Sequence, residues 1–334
     1  MHKINLLVNL PAGFFTAPVL AAAFARLEKS AVLRKTSHNT AAEIEGDLAW
    51  ADAVLMWSWP MLTHELLDKV PRLKFSAQLD VAQRAARIAL DRKFPVSVAR
   101  RGWSPAVAEM TLGLILAALR KISLYHAAMR AGTESWVRNF PQDIDADERQ
   151  LTGRPVGIVG FGAVGRRLAE LLAPFQCGLR IHDPFLPDEI AAQFRAAKVS
   201  VAELIKCSDV VVLCAASNPG TARLLGPAEI AAFRKGAVLI NVARAALVDT
   251  AALLARLRLG DMYAALDVFD KEPLAAEAPL RALPNAFLTP HRAGGILASV
   301  ERILGQLSDD LEAHLAGRQR QYALSEAMLP SLDA

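Results

Sequence analysis

Short apolar runs rich in β-branched residues alternate with Ala/Leu-rich amphipathic runs along almost the whole chain. That alternation is the signature of parallel strands joined by crossover helices, a sheet covered on both faces. In the first hundred residues it predicts strands near 4–8, 31–34, 53–57, 73–76 and 95–98, with helices such as PVLAAAFARLEK (18–29) between them. One long apolar helix is expected over about 104–130, followed by a polar, irregular connector, GTESWVRNFPQDIDADERQ (132–150). A second strand series reads PVGIVG (155–160), GLRIHD (178–183), DVVVLC (209–214), AVLINV (237–242), YAALDVF (263–269) and AFLTP (286–290). An amphipathic helix over roughly 296–317 closes the pattern. Two α/β units are therefore predicted, and a catalytic cleft between them is the natural expectation.

Composition narrows the class. The chain has 334 residues, 53% hydrophobic and 22% charged, which suits two folded domains and excludes a disordered protein. The net charge of +4 comes from scattered residues, with only a short cluster at Arg318–Arg320, so no nucleic-acid stripe is expected. Cys177, Cys207 and Cys214 show neither CxxC nor metal-type spacing, which points to a reducing compartment and to no metal site. Asn5, Asn9, Pro11 and Gly13 interrupt any signal-peptide core, so INLLVN (4–9) reads as a first strand. AVAEMTLGLILAAL (106–119) is short for a bilayer and carries Glu109, so it reads as a buried helix. A cytoplasmic protein that does not act on membranes is the expectation.

The most informative local pattern is GFGAVG (160–165), a G-x-G-x-x-G set between a strand and the helical run RRLAELLAPF (166–175). The next strand ends at Asp183, 18 residues beyond Gly165, which completes the context of a dinucleotide fingerprint. Gly160 and Gly162 let the backbone turn and approach a pyrophosphate, and Gly165 lets helix and strand pack closely. The amides of Ala163 and Val164 then meet phosphate charge at a helix N-terminus. Asp183 accepts the adenosine ribose hydroxyls and repels a 2′-phosphate, which favours NAD over NADP.

Three polar residues follow at the ends of successive strands. Arg244 lies in NVARAALVD (241–249), Glu272 in LDVFDKEPL (266–274) and His291 in LTPHRAGG (288–295). The carboxyl ends of parallel strands share one edge, so all three can converge on one ligand. Each also has a plainer reading: Arg244 paired with Asp249, Glu272 as a loop residue before proline, His291 as a hydrogen-bonded turn residue. An unpaired guanidinium beside so apolar a strand is costly, so an anion must meet Arg244.

NVARAALVD, LDVFDKEPL and TPHRAGG, in this order after GFGAVG and IHDP, resemble the D-isomer-specific 2-hydroxyacid dehydrogenase family over about residues 50–317. The resemblance implies two flavodoxin/Rossmann-like doubly wound domains. An outer substrate domain (1–98 with 297–334) would carry an inserted NAD domain (99–296). It also implies a homodimer through the helix at about 104–130. The implied chemistry is hydride transfer between NAD(H) and a 2-oxo or D-2-hydroxy acid. In it His291 is the general acid, Glu272 stabilises the protonated imidazole, and Arg244 grips the substrate carboxylate. Asp267 would hold the nicotinamide carboxamide, with Ala215, Val242 and Gly294 lining the cofactor.

The sequence departs from the family at the loop after the fourth strand, where SAQLD (76–80) replaces a G-x-G-x-D pattern. The amides of Gln78 and Leu79 are the remaining candidates to bind the substrate carboxylate, and Trp57 is an apolar wall for the substrate side chain. The reading is an oxidoreductase of small or moderately apolar 2-oxo acids. A phosphoglycerate dehydrogenase and a non-catalytic, NAD-sensing corepressor-like protein are the alternatives.

Overall fold

The computed structural model describes residues 3–332, which divide into two compact units. The first runs to Trp103 and resumes at Ile296; the second is Ser104–Gly295. The first unit's side of that boundary is set by Gly102, whose missing Cβ would stand 2.3 Å from Ile303 Cγ1 and whose carbonyl accepts Arg302 Nη1 at 2.8 Å. The turn before Ser104 is thus packed onto the helix Leu297–Leu315 of the first unit.

That unit has five parallel strands, β1 (Ile4–Asn9), β2 (Ala31–Thr36), β3 (Ala53–Met56), β4 (Phe75–Gln78) and β5 (Val96–Val98), in the order β2-β1-β3-β4-β5. This is the flavodoxin-like order. One face buries Leu6, Val8, Leu55 and Phe75 against Ile303, Leu304, Leu307 and Leu311 of the terminal helix. The chain then returns to β5, where Val98 N donates to Tyr322 O (2.8 Å) and Leu324 N to Val96 O (2.9 Å). Asp310, 1% exposed, is satisfied by the Ser97 hydroxyl (2.6 Å) and the amides of Gln321 (2.7 Å) and Tyr322 (2.9 Å). Without those donors a carboxylate so buried would cost several kcal/mol.

The second unit has seven parallel strands: β6 (Pro155–Val159), β7 (Gly178–His182), β8 (Ala197–Lys198), β9 (Val210–Leu213), β10 (Val238–Asn241), β11 (Tyr263–Leu266) and β12 (Ala286–Leu288). Their order, β12-β11-β10-β9-β6-β7-β8, is the Rossmann arrangement with one strand added, and its switch point lies between β6 and β9. The doubly wound fold class is as the sequence pattern predicts. β8 is only two residues long and carries no periodic signal.

Three local expectations need correction. β4 lies at 75–78, two residues later than the apolar pattern suggests, and β11 ends at Leu266 instead of Phe269. The expected long helix is two, Ser104–Leu119 and Ile122–Ala131, broken at Lys121 with φ +47°. Lys121 is 9% exposed; its ammonium donates to both oxygens of Asp145 (2.8 and 2.6 Å) and lies 5.4 Å from the Tyr263 ring centroid. Burial lowers its pKa, but the Asp145 and Tyr263 contacts outweigh burial, and the net direction is up. The break exists to bring that cation to its partners. By length and hydropathy the stretch Arg101–Leu119 would pass for a membrane span, yet Ala108, Leu114, Ile115 and Leu119 are core residues of the second unit.

In the first unit His314 stacks on Phe75 at 4.6 Å, and burial together with the charge of Arg320 holds its pKa below the ordinary 6.5. The unfolded chain therefore takes up this proton first. The stabilisation by neutral His314 is present above pH 6.5 and fades as pH falls through 6.5 and below. Urea unfolding at pH 7.5 and 5.5 should show a smaller loss of stability on acidification for His314→Gln than for the wild type.

Candidate active site

The glycines of the fingerprint do three different things. Gly160, directly after β6, has φ +85°, and a Cβ there would lie 2.5 Å from Ala215 Cα and N. Ala215 follows β9, so the two central strands touch backbone to backbone at the switch point. Gly165 is equally constrained, since its Cβ would meet Gly160 O at 2.6 Å and Ile158 Cγ2 at 3.3 Å. Gly162 differs: a Cβ there would meet no protein atom within 4 Å. It is the N-cap of the helix Ala163–Leu172, and no side chain caps that end. The open cradle at Gly162, with the first amides of Ala163 and Val164, fits a dinucleotide phosphate.

Asp183 follows β7, and its carboxylate accepts the amides of Phe161 (2.7 Å) and Phe185 (2.9 Å). It fixes the fingerprint turn to the neighbouring strand and, being half-buried, retains lone pairs for ribose hydroxyls. Val242 is buried after β10, and Gly294 is half-buried in the loop that carries His291.

Arg244, Glu272 and His291 come after β10, β11 and β12, three adjacent strands, at their common carboxyl edge. The turn at Arg244 is tied by Asn241, whose Oδ1 accepts Ala243 N (3.1 Å) and whose Nδ2 donates to Arg244 O (3.0 Å). Arg244 Nη1 donates to Ala243 O at 2.7 Å. Asp249 caps the helix Thr250–Leu257 by accepting Ala252 N at 2.9 Å.

His291 Nδ1 and Glu272 Oε2 are 2.7 Å apart, and Glu272 Oε1 accepts Phe269 N at 2.9 Å. Burial pushes the Glu272 carboxyl up, but the His291 hydrogen bond, the Phe269 amide and the charges of His291 and Arg244 together hold it below the usual carboxylate range. Glu272 is thus an ionised acceptor, which makes Nδ1 the donor and leaves Nε2 for chemistry. The side chains are 46% and 35% exposed, so the pair adds less than about 1 kcal/mol to stability. Its value is orientation.

Asp267, just after β11, is buried, and its oxygens accept the Thr289 hydroxyl and the amides of Arg292 and Ala293.

The first-unit candidates fare unevenly. Leu79 is fully buried and its amide donates to Met56 O at 3.0 Å, so it continues the ladder and offers nothing to a substrate. The later register of β4 is the reason. Gln78 is 3% exposed, with Nε2 donating to Ser76 Oγ at 3.1 Å and Oε1 unpartnered. Trp57 is half-buried after β3, among Phe14 (5.8 Å between centroids), Trp59 (5.0 Å) and Trp103 (5.9 Å). The sequence reading missed Asn241 and Trp103. Asn241 was legible as an Asn two residues before an apolar turn, whereas Trp103 had no local signal.

Residues 112–293 match the family model described as D-isomer specific 2-hydroxyacid dehydrogenase, NAD binding domain. The chain belongs to this family. It is 31% identical to the glyoxylate reductase of Aeropyrum pernix over 80% of this chain and 81% of that protein. It is 29% identical to the D-3-phosphoglycerate dehydrogenase of Methanocaldococcus jannaschii over 95% of this chain, and there spans only 63% of the relative's length. Among solved structures, the PH0520 protein of Pyrococcus horikoshii superposes with a TM-score of 0.82 at 25% identity, covering 98% of this chain and 97% of that one.

Gly160→Ala should lose on the order of 2–4 kcal/mol of stability, because strain and a backbone clash coincide. Gly162→Ala should melt within about 0.5 kcal/mol of wild type and yet bind NADH at least about tenfold more weakly. Thermal melts and NADH fluorescence titrations check both.

Proposed function

We propose that the protein is an NADH-dependent reductase of small or moderately apolar 2-oxo acids, working reversibly on the matching D-2-hydroxy acids. The observation that carries the proposal is the 2.7 Å His291–Glu272 pair on the sheet edge that also bears the fingerprint and Arg244. Bound NADH supplies the hydride to C2 of the acid. Arg244 binds the carboxylate and polarises the carbonyl through its fork of donors. His291, charged and held by Glu272, gives its proton to the carbonyl oxygen, a contribution typically worth about 10²–10⁴-fold. Because Glu272 stays ionised below the usual carboxylate range, the pair persists on mild acidification. The aromatic group around Trp57 supports apolar substrate side chains over a phosphate, which disfavours a phosphoglycerate dehydrogenase. The closed SAQLD segment favours, as a second reading, an NAD-sensing protein without turnover.

A second copy of this chain is the proposed partner. The helix after Lys121 and the connector beyond it expose Met129 (51%), Trp136 (60%), Val137 (63%) and Phe140 (78%), an apolar strip of the sort that subunits cover. Three free cysteines suit a reducing compartment, and the cytoplasm is the proposed location.

NADH oxidation at 340 nm across a panel of 2-oxo acids is the test. Arg244→Ala should raise KM about 100-fold, and His291→Ala should lower kcat by about 10²–10⁴; wild-type rates in both would refute the roles. NADPH should serve less well than NADH, and saturable NADH binding with no turnover on any acid would favour the sensing reading. In sedimentation, a Trp136→Glu/Phe140→Glu variant should shift toward monomer; an unchanged mass would reject this interface.

A further inference from the structure

The first unit has a switch point of its own. In the order β2-β1-β3-β4-β5 the chain leaves β1 toward one edge of the sheet and β3 toward the other, so a crevice opens between the carboxyl ends of β1 and β3. Aromatic side chains gather there. Phe14 lies in the short helix after β1, and Trp57 is the first residue beyond β3. The Trp57 ring has Phe14 edge-on at 5.8 Å, Trp103 at 5.9 Å and Trp59 at 5.0 Å, and all four residues are half-buried. Phe14, Trp57 and Trp103 pack on the core that the terminal helix covers, which accounts for them. Trp59 is different: among the described residues it joins no hydrophobic core, and its one ring contact is Trp57.

An indole held half in water and outside any core has no packing reason to be there, and the switch point supplies a binding one. We propose that Trp59 determines specificity for the reaction: with Trp57 it forms a ring-lined seat for the substrate side chain, and that side chain is an aryl group on C3 of the 2-oxo acid. The proposal rests on the functional reading given above and narrows its substrate class. Rings favour other rings at centroid spacings of about 4.5–7 Å, edge-on or offset, beyond the area they bury. The contacts around Trp57 already fall in that range. A planar side chain gains the same kind of contact with two indoles, whereas a methyl or hydroxymethyl group is too small to span them.

At saturating NADH, kcat/KM for 3-phenyl-2-oxopropanoate should exceed that for 2-oxopropanoate by at least about 30-fold. Trp59→Ala should shrink that ratio at least about tenfold, mainly through KM of the phenyl acid, and Trp59→Phe, which keeps a ring, should restore most of it. A residue that only supported the fold would lower both values together and leave the ratio as it was. An unchanged ratio in the variant, or a smaller ratio than expected in wild type, would overturn the proposal. If Trp59→Ala does not fold, Trp59→Leu is measured in the same way with the same outcomes. If wild type turns over no 2-oxo acid, the functional reading fails, and calorimetry of the NADH-bound protein with unreactive 3-phenylpropanoate and propanoate decides the aryl seat. Wild-type binding of the phenyl acid at least about tenfold tighter, with the gap narrowed in Trp59→Ala, supports the seat; a smaller gap, or one the variant keeps, overturns it.

Discussion

The second unit is organised around a place where two backbones meet without a side chain between them. Gly160 and Ala215 close on one another at the switch point, and only a residue with no Cβ and a positive φ can stand at 160. From that contact β6 and β9 send their connections to opposite faces of the sheet, which opens a crevice at its carboxyl edge. Asp183 then binds the turn from one neighbouring strand by accepting Phe161 N. A phosphate site, a ribose acceptor and three polar catalytic candidates thus share one edge because the strands are parallel, and no long-range pairing of those residues is needed.

Burial separates the groups that hold from the groups that act. Asp267 and Asp310 are almost wholly enclosed, and each meets three donors. His291 and Glu272 are far more open, and a pair so exposed contributes little to stability. The proposed chemistry accordingly sits on groups that water can reach, while the loop around His291 is held by one carboxylate, Asp267, that it cannot. This is the division expected when a site is carried by loops on a rigid sheet.

Much of this was legible in the sequence because it is local. Strand–glycine turn–helix order, an acid at the end of the next strand, and polar residues after three further strands are all short-range patterns, and each appears where the periodicity places it. What failed was register and long-range satisfaction. KFSAQLD gives no cue that β4 begins at Phe75, and that two-residue slip changed Leu79 from a candidate ligand into a ladder residue. Lys121 broke an otherwise continuous apolar helix to reach Asp145, 24 positions away. The donors that meet Asp267, from Thr289, Arg292 and Ala293, are brought onto it only by the fold.

The glycines at 160 and 162 look alike on paper, and the molecule guards them differently. At 160 the surrounding chain itself forbids a methyl group, whereas at 162 nothing in the polypeptide objects. A saturation library of this turn would therefore pass through two independent filters. Survival in a screen for soluble protein would purge variants at the first position, and only a screen for cofactor capture would purge them at the second.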